Sequence, residues 1–186
     1  MPTIYRQYCL DCPYCNGKHL PTEYWSMRSM PLSMEDNNGD TLLIFQSPGI
    51  EEWKKGKPLS SHIAQSAGGK LKTAFKLLGK SRENYSITNT VQCFPGKQEP
   101  NNGKKPRDKQ PVKAAQNLCS NWLLKDIEAH EYKLIVVFGS HAHKAVKNLG
   151  FSNDKRFRYA LHPTAPGVSI DDICNILSNP RVKDNS

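Results

Sequence analysis

The chain has 186 residues, of which 37% are hydrophobic and 23% are charged. This length predicts a single domain, residues 1–186, and the apolar content argues against a disordered chain. Lys and Arg outnumber Asp and Glu by 26 to 17, which gives a formal net charge of +9. Because such a field attracts polyanions, DNA or RNA is the first partner we expect. The sequence holds no apolar run of the roughly 18 residues that a membrane span needs and no apolar leader. We therefore expect a cytoplasmic monomer without a membrane partner.

Apolar runs typical of strands alternate along the chain with stretches of helical periodicity. A cysteine-rich N-terminal arm, residues 1–40, comes first. The predicted elements then follow in the order strand 42–45, helix 60–78, strand 84–91, helix 112–129, strand 133–138, helix 141–149, strand 157–161 and helix 170–177. Residues 94–111 combine Pro, Gly, Asn and Lys without apolar periodicity, which indicates an exposed basic loop. This alternation predicts an α/β fold of three layers, with a central four-stranded parallel sheet flanked by helices.

Polar residues follow three of the predicted strands. Gln46 and Ser47 come after the first strand, Asn89 lies in the second, and His162 follows the fourth. In a parallel sheet, functional residues collect in the loops at the carboxyl ends of the strands. These residues are therefore expected to converge on one cleft.

The six cysteines are unevenly spaced, with Cys9, Cys12 and Cys15 crowded near the N-terminus. In a reducing compartment a disulfide framework is not expected, and two residues between thiols let both reach one metal centre. This triplet therefore predicts a metal site, whose other ligands lie far along the chain. Cys174, inside an apolar helical stretch, is interpreted as an ordinary core cysteine.

Several blocks, in chain order, share a pattern with a known family. They are Cys9-Leu-Asp-Cys12-Pro13, Ile44-Phe45-Gln46-Ser47-Pro48-Gly49 with Glu52 and Gly56-Lys57-Pro58, Tyr85-Ser-Ile-Thr-Asn89-Thr-Val-Gln-Cys93, Cys119-Ser-Asn-Trp-Leu123, Lys133 to Gly139, and Leu161-His162-Pro163-Thr164. Together they resemble the uracil-DNA glycosylase superfamily, and within it the iron-sulfur branch typified by family 4 enzymes. Their order and spacing carry the resemblance, since no block is specific alone. The resemblance implies the uracil-DNA glycosylase-like form of the predicted three-layer fold.

The resemblance also implies a [4Fe-4S] cluster held by Cys9, Cys12, Cys93 and Cys119, with Cys15 as the alternative to Cys9. A zinc site is the other interpretation, because both metals accept four thiolates. The segment between Cys93 and Cys119 is longer than is usual in the family. Its cations are expected either to clamp phosphates or merely to be solvated; those we assign to DNA are Lys104, Lys105 and Arg107.

By the same resemblance, the protein would be a monofunctional DNA glycosylase that flips out a pyrimidine and hydrolyses its N-glycosidic bond, leaving an abasic site. His162 would donate to the departing base, the same logic as an oxyanion hole. The resemblance assigns catalytic roles at the sugar and the attacking water to Gln46, Ser47 and Glu52. It assigns binding of the base to Asn89, Phe45 and Leu59, and contact with the DNA to Arg158 and Thr164.

Two positions depart from the family pattern. Gln46 stands where the family has a carboxylate, and Leu59 stands where a Phe stacks on uracil. These departures leave two substrates open, uracil itself and a bulkier pyrimidine such as the glucosylated hydroxymethylcytosine of phage DNA. The corresponding pathways are base-excision repair and antiviral defence. The alternative functions are a catalytically silent DNA-binding relative and a zinc-binding nucleic-acid module.

Overall fold

The four predicted strands are present in a computed structural model, which describes Cys9, residues 11–14, Tyr24, Met27, residues 30–99 and residues 106–178. The strands are β1 (Thr41–Phe45), β2 (Tyr85–Asn89), β3 (Leu134–Phe138) and β4 (Phe157–Ala160). Every residue of β1, β2 and β3 is buried. Apolar runs of this kind suit parallel strands that are covered on both faces.

The strands lie in the order β2-β1-β3-β4, and every pair is parallel. The register pairs Phe45 with Asn89 and Phe138 with Ala160. The carboxyl ends of all four strands therefore share one edge of the sheet. The chain leaves β1 for β2 on one side and later places β3 on the other, so a topological switch point lies beside β1.

Helices cover both faces of the sheet. They are α1 (Ile50–Lys55), α2 (Ala67–Leu77), α3 (Lys113–Glu128), α4 (Ser140–Asn148) and α5 (Ile170–Ser178). Helices α2 and α5 pack on one face, around Leu43 and Val136. Helices α3 and α4 pack on the other face, around Leu42 and Ile135. This arrangement confirms the predicted three-layer fold.

One helix prediction was wrong at its start, and one short helix was missed. The helix expected from residue 60 begins at Ala67, because the Ser66 hydroxyl caps it by accepting the Gly69 N–H at 3.1 Å. Helix α1 was not predicted at all, since its six residues are too few to show a helical period. It begins right after Gly49 and buries Trp53 completely.

The predicted basic loop, residues 94–111, contains no helix or named strand in its described parts, 94–99 and 106–111. Its two ends are held together by an isolated bridge between Lys97 and Asp108, whose side chains also form an ion pair at 2.5 Å. None of the described helices has the length and apolar character that crossing a membrane requires.

Candidate active site and cysteine centre

Three polar segments meet at the carboxyl edge of the sheet. Phe45 ends β1 beside Asn89 of β2, and Gln46 and Ser47 follow it directly. From β4, the ring of His162 reaches the ring of Phe45 edge-on, with 6.1 Å between the centroids. The three predicted loops therefore meet around Phe45, and we call the region between them the cleft.

His162 is held in one tautomer by its own loop. Its Nδ1 accepts the backbone N–H of Thr164 at 3.3 Å and lies 2.8 Å from the Thr164 hydroxyl. A backbone N–H can only donate, so Nδ1 must accept, and the neutral ring carries its hydrogen on Nε2. Burial lowers the pKa of His162 from its ordinary value of 6.5, which favours this neutral form. His162 is thus a neutral Nε2–H donor.

Gly139, directly after β3, supports the His162 side chain from behind. A Cβ built on Gly139 would lie 3.4 Å from the Cβ of His162, and the φ angle of Gly139 is +90°. Its backbone N–H donates to the carbonyl of Ala160 at 2.8 Å. A residue with a side chain here would be strained and would press on the histidine. The sequence analysis assigned no role to this glycine.

Asn89 is 4% exposed and lies at the end of β2, next to Phe45. No hydrogen bond joins its amide to another of the described residues. A buried amide without a partner retains its donors and its acceptor for a ligand. The geometry is therefore compatible with the base-reading role that the sequence predicts for Asn89.

The segment after β2 is fastened to the segment after β1. Thr90 N–H donates to the Phe45 carbonyl at 2.7 Å, and Val91 N–H donates to the Gln46 carbonyl at 2.9 Å. The Thr90 hydroxyl also donates to the Gln46 carbonyl, at 2.8 Å. The backbone of Gln46 is thus fixed, while its side chain is only half-buried. Thr90 is a positioning residue that the sequence analysis missed.

Leu59, in the loop after α1, is the residue that the sequence analysis predicts as a wall for the base. It is 6% exposed, packs in the same apolar cluster as Phe45, and has a φ angle of +49°. This conformation is uncommon for a residue other than glycine. A hydrogen bond from the Leu59 backbone to Glu52 supports it. The wall here is therefore aliphatic and fixed by the loop.

Glu52 organises this loop from within helix α1. Its Oε2 accepts the Gly49 N–H at 2.8 Å, and it also accepts the backbone of Leu59. Burial, together with the nearby carboxylate of Asp108, raises the pKa of Glu52 to about 7. The neighbouring Glu51 is exposed and pairs with Lys54. Glu52 therefore connects the first polar segment to the Leu59 wall.

Replacing Glu52 with glutamine should flatten the pH dependence of stability. The folded protein retains a proton that the unfolded chain releases between pH 4.5 and 7, so the free energy of unfolding should fall as pH rises through this window. We expect a difference on the order of 2 kcal/mol between wild type and Glu52→Gln across the window, by urea unfolding. Glu51→Gln, at the exposed neighbour, should keep the wild-type slope. Parallel profiles for wild type and Glu52→Gln would contradict the assignment.

The cysteines group on the other side of α1. Cys12, Cys93 and Cys119 are buried in one apolar cluster with Tyr14 and Trp53. The half-buried Cys9 joins them, since its carbonyl accepts the Cys12 N–H at 3.1 Å. Burial raises the pKa of Cys119, and the thiols of Cys93, Cys12 and Cys9 add to this effect. Three of the four predicted ligands thus lie close enough to the fourth, Cys119, to raise its pKa.

The donor set of this cysteine group suits a thiolate-bound metal centre. Its four groups are all thiols, and burial in an apolar cluster protects three of them, Cys12, Cys93 and Cys119, from solvent. Within the described part of the chain, no three His, Cys, Asp or Glu side chains are arranged around a single-ion position. Cys15 lies outside the described residues. Cys174 lies apart, on α5, with its Sγ 3.8 Å from the Ala74 carbonyl, as expected for a core cysteine.

Tyr14 is a further component of the cysteine group. Its ring is 1% exposed and its hydroxyl accepts the Val112 N–H at 2.8 Å. Burial raises the pKa of Tyr14, and Cys12, Cys93 and Cys119 raise it further. Tyr14 therefore fastens the N-terminal arm to the start of α3.

The residues predicted to contact DNA do not form one group among the described residues. Arg107 is exposed beside the Lys97–Asp108 bridge, whereas Lys104 and Lys105 lie outside the described residues. Arg158 is half-buried and donates to the carbonyls of Lys155 and Phe157 at 2.7 and 2.8 Å, towards the start of β4. Thr164 is exposed, although it also orients His162. Of the predicted DNA contacts that the structure describes, Thr164 is the one that touches His162 directly.

Comparison with known proteins agrees with this geometry. The family model of the uracil DNA glycosylase superfamily matches residues 34–179. Similar curated relatives are each named type-4 uracil-DNA glycosylase. The one from Saccharolobus solfataricus is 31% identical over 63% of this chain and 49% of its own length. The one from Archaeoglobus fulgidus is 30% identical over 75% of this chain and 60% of its own length, and the one from Thermotoga maritima is 33% identical over 58% of this chain and 50% of its own length. The chain thus spans about half the length of most of these relatives. Because the family model covers most of the chain, the protein belongs to the uracil DNA glycosylase superfamily, as a divergent member similar to its type-4 enzymes.

Proposed function

We propose that the protein is a monofunctional DNA glycosylase that excises a pyrimidine flipped into the cleft around Phe45. The observation that carries the proposal is that the fixed Nε2–H donor of His162 and the unpartnered amide of Asn89 both lie beside Phe45. Membership of the superfamily supports the reaction class. DNA is the expected partner, and the protein acts as a monomer.

The chemistry follows from the leaving group. As the glycosidic bond breaks, negative charge builds on the base and positive charge on the sugar. The Nε2–H of His162 donates to the developing anion, in the manner of an oxyanion hole. The Asn89 amide holds the pairing edge of the base, with Phe45 and Leu59 as walls. Gln46 and Ser47 hold the attacking water by hydrogen bonds, and the product is an abasic site.

The cysteine group is proposed to hold a [4Fe-4S] cluster through Cys9, Cys12, Cys93 and Cys119. A bound cluster supplies cross-links between the N-terminal arm, the segment after β2 and α3, and so stabilises the fold. Zinc is the alternative occupant of four thiolates. A brown purified protein with a visible absorption band would distinguish the cluster from zinc. In the loop between Cys93 and α3, Lys104, Lys105 and Arg107 are proposed to contact phosphates.

The base excised is either uracil or a larger modified pyrimidine. Leu59 cannot stack on the base as an aromatic ring would, but it leaves more room for a substituent on the base. Gln46 is uncharged and therefore does not repel a polar substituent. A hydroxymethylcytosine that bears a sugar, as in phage DNA, is the larger substrate that we propose. The corresponding roles are base repair and defence against phage.

A panel of duplexes, each with one candidate base, tests the proposal. After incubation, alkali cleaves any abasic site, and gel analysis reports the strand break. Cleavage with uracil or with a sugar-bearing cytosine supports excision. Binding without any cleavage across the panel would favour a silent DNA-binding relative, the alternative that the absence of a carboxylate at Gln46 suggests.

Replacing Gln46 with glutamate should raise the rate of uracil excision by about tenfold, because a carboxylate there would stabilise the sugar cation. The measurement is a single-turnover rate on uracil-containing duplex. Gln65→Glu, the same chemical change at an exposed position of the described chain, is the matched control and should leave the rate unchanged. No gain in the Gln46 variant would point to the modified pyrimidine as substrate.

A further inference from the structure

A cavity lined by Leu59 runs along helix α2. Its volume is about 700 Å³. Three elements enclose it: the segment with Leu59 and Ser60, the face of α2, and residues 80–83 before β2. We call this cavity the basic pocket, and define it by Leu59, Ser60, Leu71, Lys72, Phe75 and Lys76. Its volume is in the range typical of sites for small organic ligands.

The lining of the basic pocket is strongly positive. Six Lys or Arg residues line it against a single acidic residue, Glu83; the six are Lys55, Lys57, Lys72, Lys76, Lys80 and Arg82. Lys57 and Arg82 both pair with Glu35, which lies outside the lining and balances one of their two positive charges. The remaining cations leave a net positive charge in the pocket, so a bound ligand should carry negative charge.

Lys72 and Lys76 are the cations free to bind such a ligand. They lie one helical turn apart on α2, and both are exposed. Neither forms an ion pair with any residue in the described part of the chain. Two ammonium groups at this spacing can contact the same phosphate from one side.

Ser60 gives an independent sign of a ligand. The residue is 8% exposed, and its Oγ has no hydrogen-bond partner among the described residues. A buried hydroxyl without a partner is unfavourable by about 1–3 kcal/mol, and native proteins rarely retain one without a reason. In the basic pocket it lies beside an apolar floor of Leu59, Leu71 and Phe75.

We propose that the basic pocket binds a nucleotide, separately from the base cleft. Lys72 and Lys76 bind its phosphate, the Ser60 hydroxyl pairs with a polar atom of the ligand, and the floor accepts the apolar faces of the sugar and base. Two sources carry this chemistry: a free nucleotide, and a nucleotide of a DNA strand that continues past Leu59 from the cleft. An acidic peptide could pair with the lysines, but it would not place an apolar group on the floor beneath them as a nucleotide does.

The test uses the full-length protein and a purine ligand, since a purine does not suit a cleft that reads pyrimidines. Isotope-labelled protein is titrated with 2′-deoxyadenosine 5′-monophosphate, with deoxyadenosine, and with a short oligonucleotide of deoxyadenosine, and NMR shifts are mapped. The variants are Lys72→Glu with Lys76→Glu, and Ser60→Ala. The matched control is Lys144→Glu with Lys147→Glu on α4, two exposed lysines that give the same charge change.

We expect the monophosphate to shift pocket residues, and deoxyadenosine to bind at least about tenfold more weakly. The Lys72 and Lys76 variant should bind the monophosphate about tenfold more weakly than wild type. The Ser60 variant should also bind it more weakly while its fold is intact, and the control variant should bind it as wild type does. Shifts with the monophosphate assign a free nucleotide; shifts with the oligonucleotide alone assign a DNA strand. Equal weakening by both charge variants, or equal binding of polyglutamate, would overturn the proposal. None of these readouts depends on base excision.

Discussion

Replacing His162 with alanine will lower the single-turnover rate of base excision by about 10²–10³-fold, the usual effect of removing one donor to a developing anion. The expectation rests on the Nε2–H tautomer that the Thr164 backbone imposes on the ring. DNA affinity should change little, because His162 is not one of the cations that we propose to contact phosphates. Excision is measured by alkaline cleavage of the preferred duplex, and binding by fluorescence anisotropy.

His141→Ala is the matched control, since His141 is exposed on α4. It should excise at the wild-type rate. The pH profile adds a second readout: because the pKa of His162 is lowered below 6.5, no loss of activity from its protonation is expected until the pH falls below that value. A His162→Ala enzyme with unchanged turnover would remove this residue from the mechanism.

Replacing Cys93 or Cys119 with serine is expected to remove the proposed cluster, and with it any visible colour, and to destabilise the protein. Each thiol is buried in the apolar cluster with Cys12, and a lost ligand frees the arm and the start of α3 together. A loss of about 3 kcal/mol corresponds to a fall of roughly 6–12 °C in the thermal midpoint for a domain of this size. Absorption spectroscopy and iron analysis report occupancy, and thermal unfolding reports stability.

Cys174→Ser is the control, because this cysteine lies on α5 away from the others. It should retain both iron and colour. Cys9→Ser and Cys15→Ser decide between the two N-terminal ligands, and we expect only the first to lose the cluster. Full iron content in both the Cys93 and Cys119 variants would exclude this ligand set.

The fold was predictable because the sheet is buried on both faces. Strands such as Leu134–Phe138 are continuous apolar runs that stand out from the chain, and their alternation with helical periods specifies a parallel sheet. The errors are local. Helix α1 is too short to show a period, and the start of α2 depends on a hydrogen bond to Ser66 rather than on apolar spacing.

The site was predictable as a set of positions but not as a set of interactions. The strand-end rule places Gln46, Asn89 and His162 at one edge, as observed. It cannot show that Thr164 selects the tautomer of His162, nor that Gly139 supports its side chain, since both depend on distances between loops. The basic pocket was equally hidden: its lining residues all fall within residues 55–83, but the sequence does not show that the segment with Leu59 and Ser60 folds against helix α2.

The hydrogen bonds between the segments after β1 and β2 link two regions that otherwise look independent. The same few residues that begin at Thr90 hold the Gln46 carbonyl and lead directly to Cys93. Loss of the proposed cluster would therefore loosen the segment that holds the Gln46 carbonyl at the edge of the sheet. Oxidative damage to such a cluster should thus lower the rate of base excision as well as the stability of the fold.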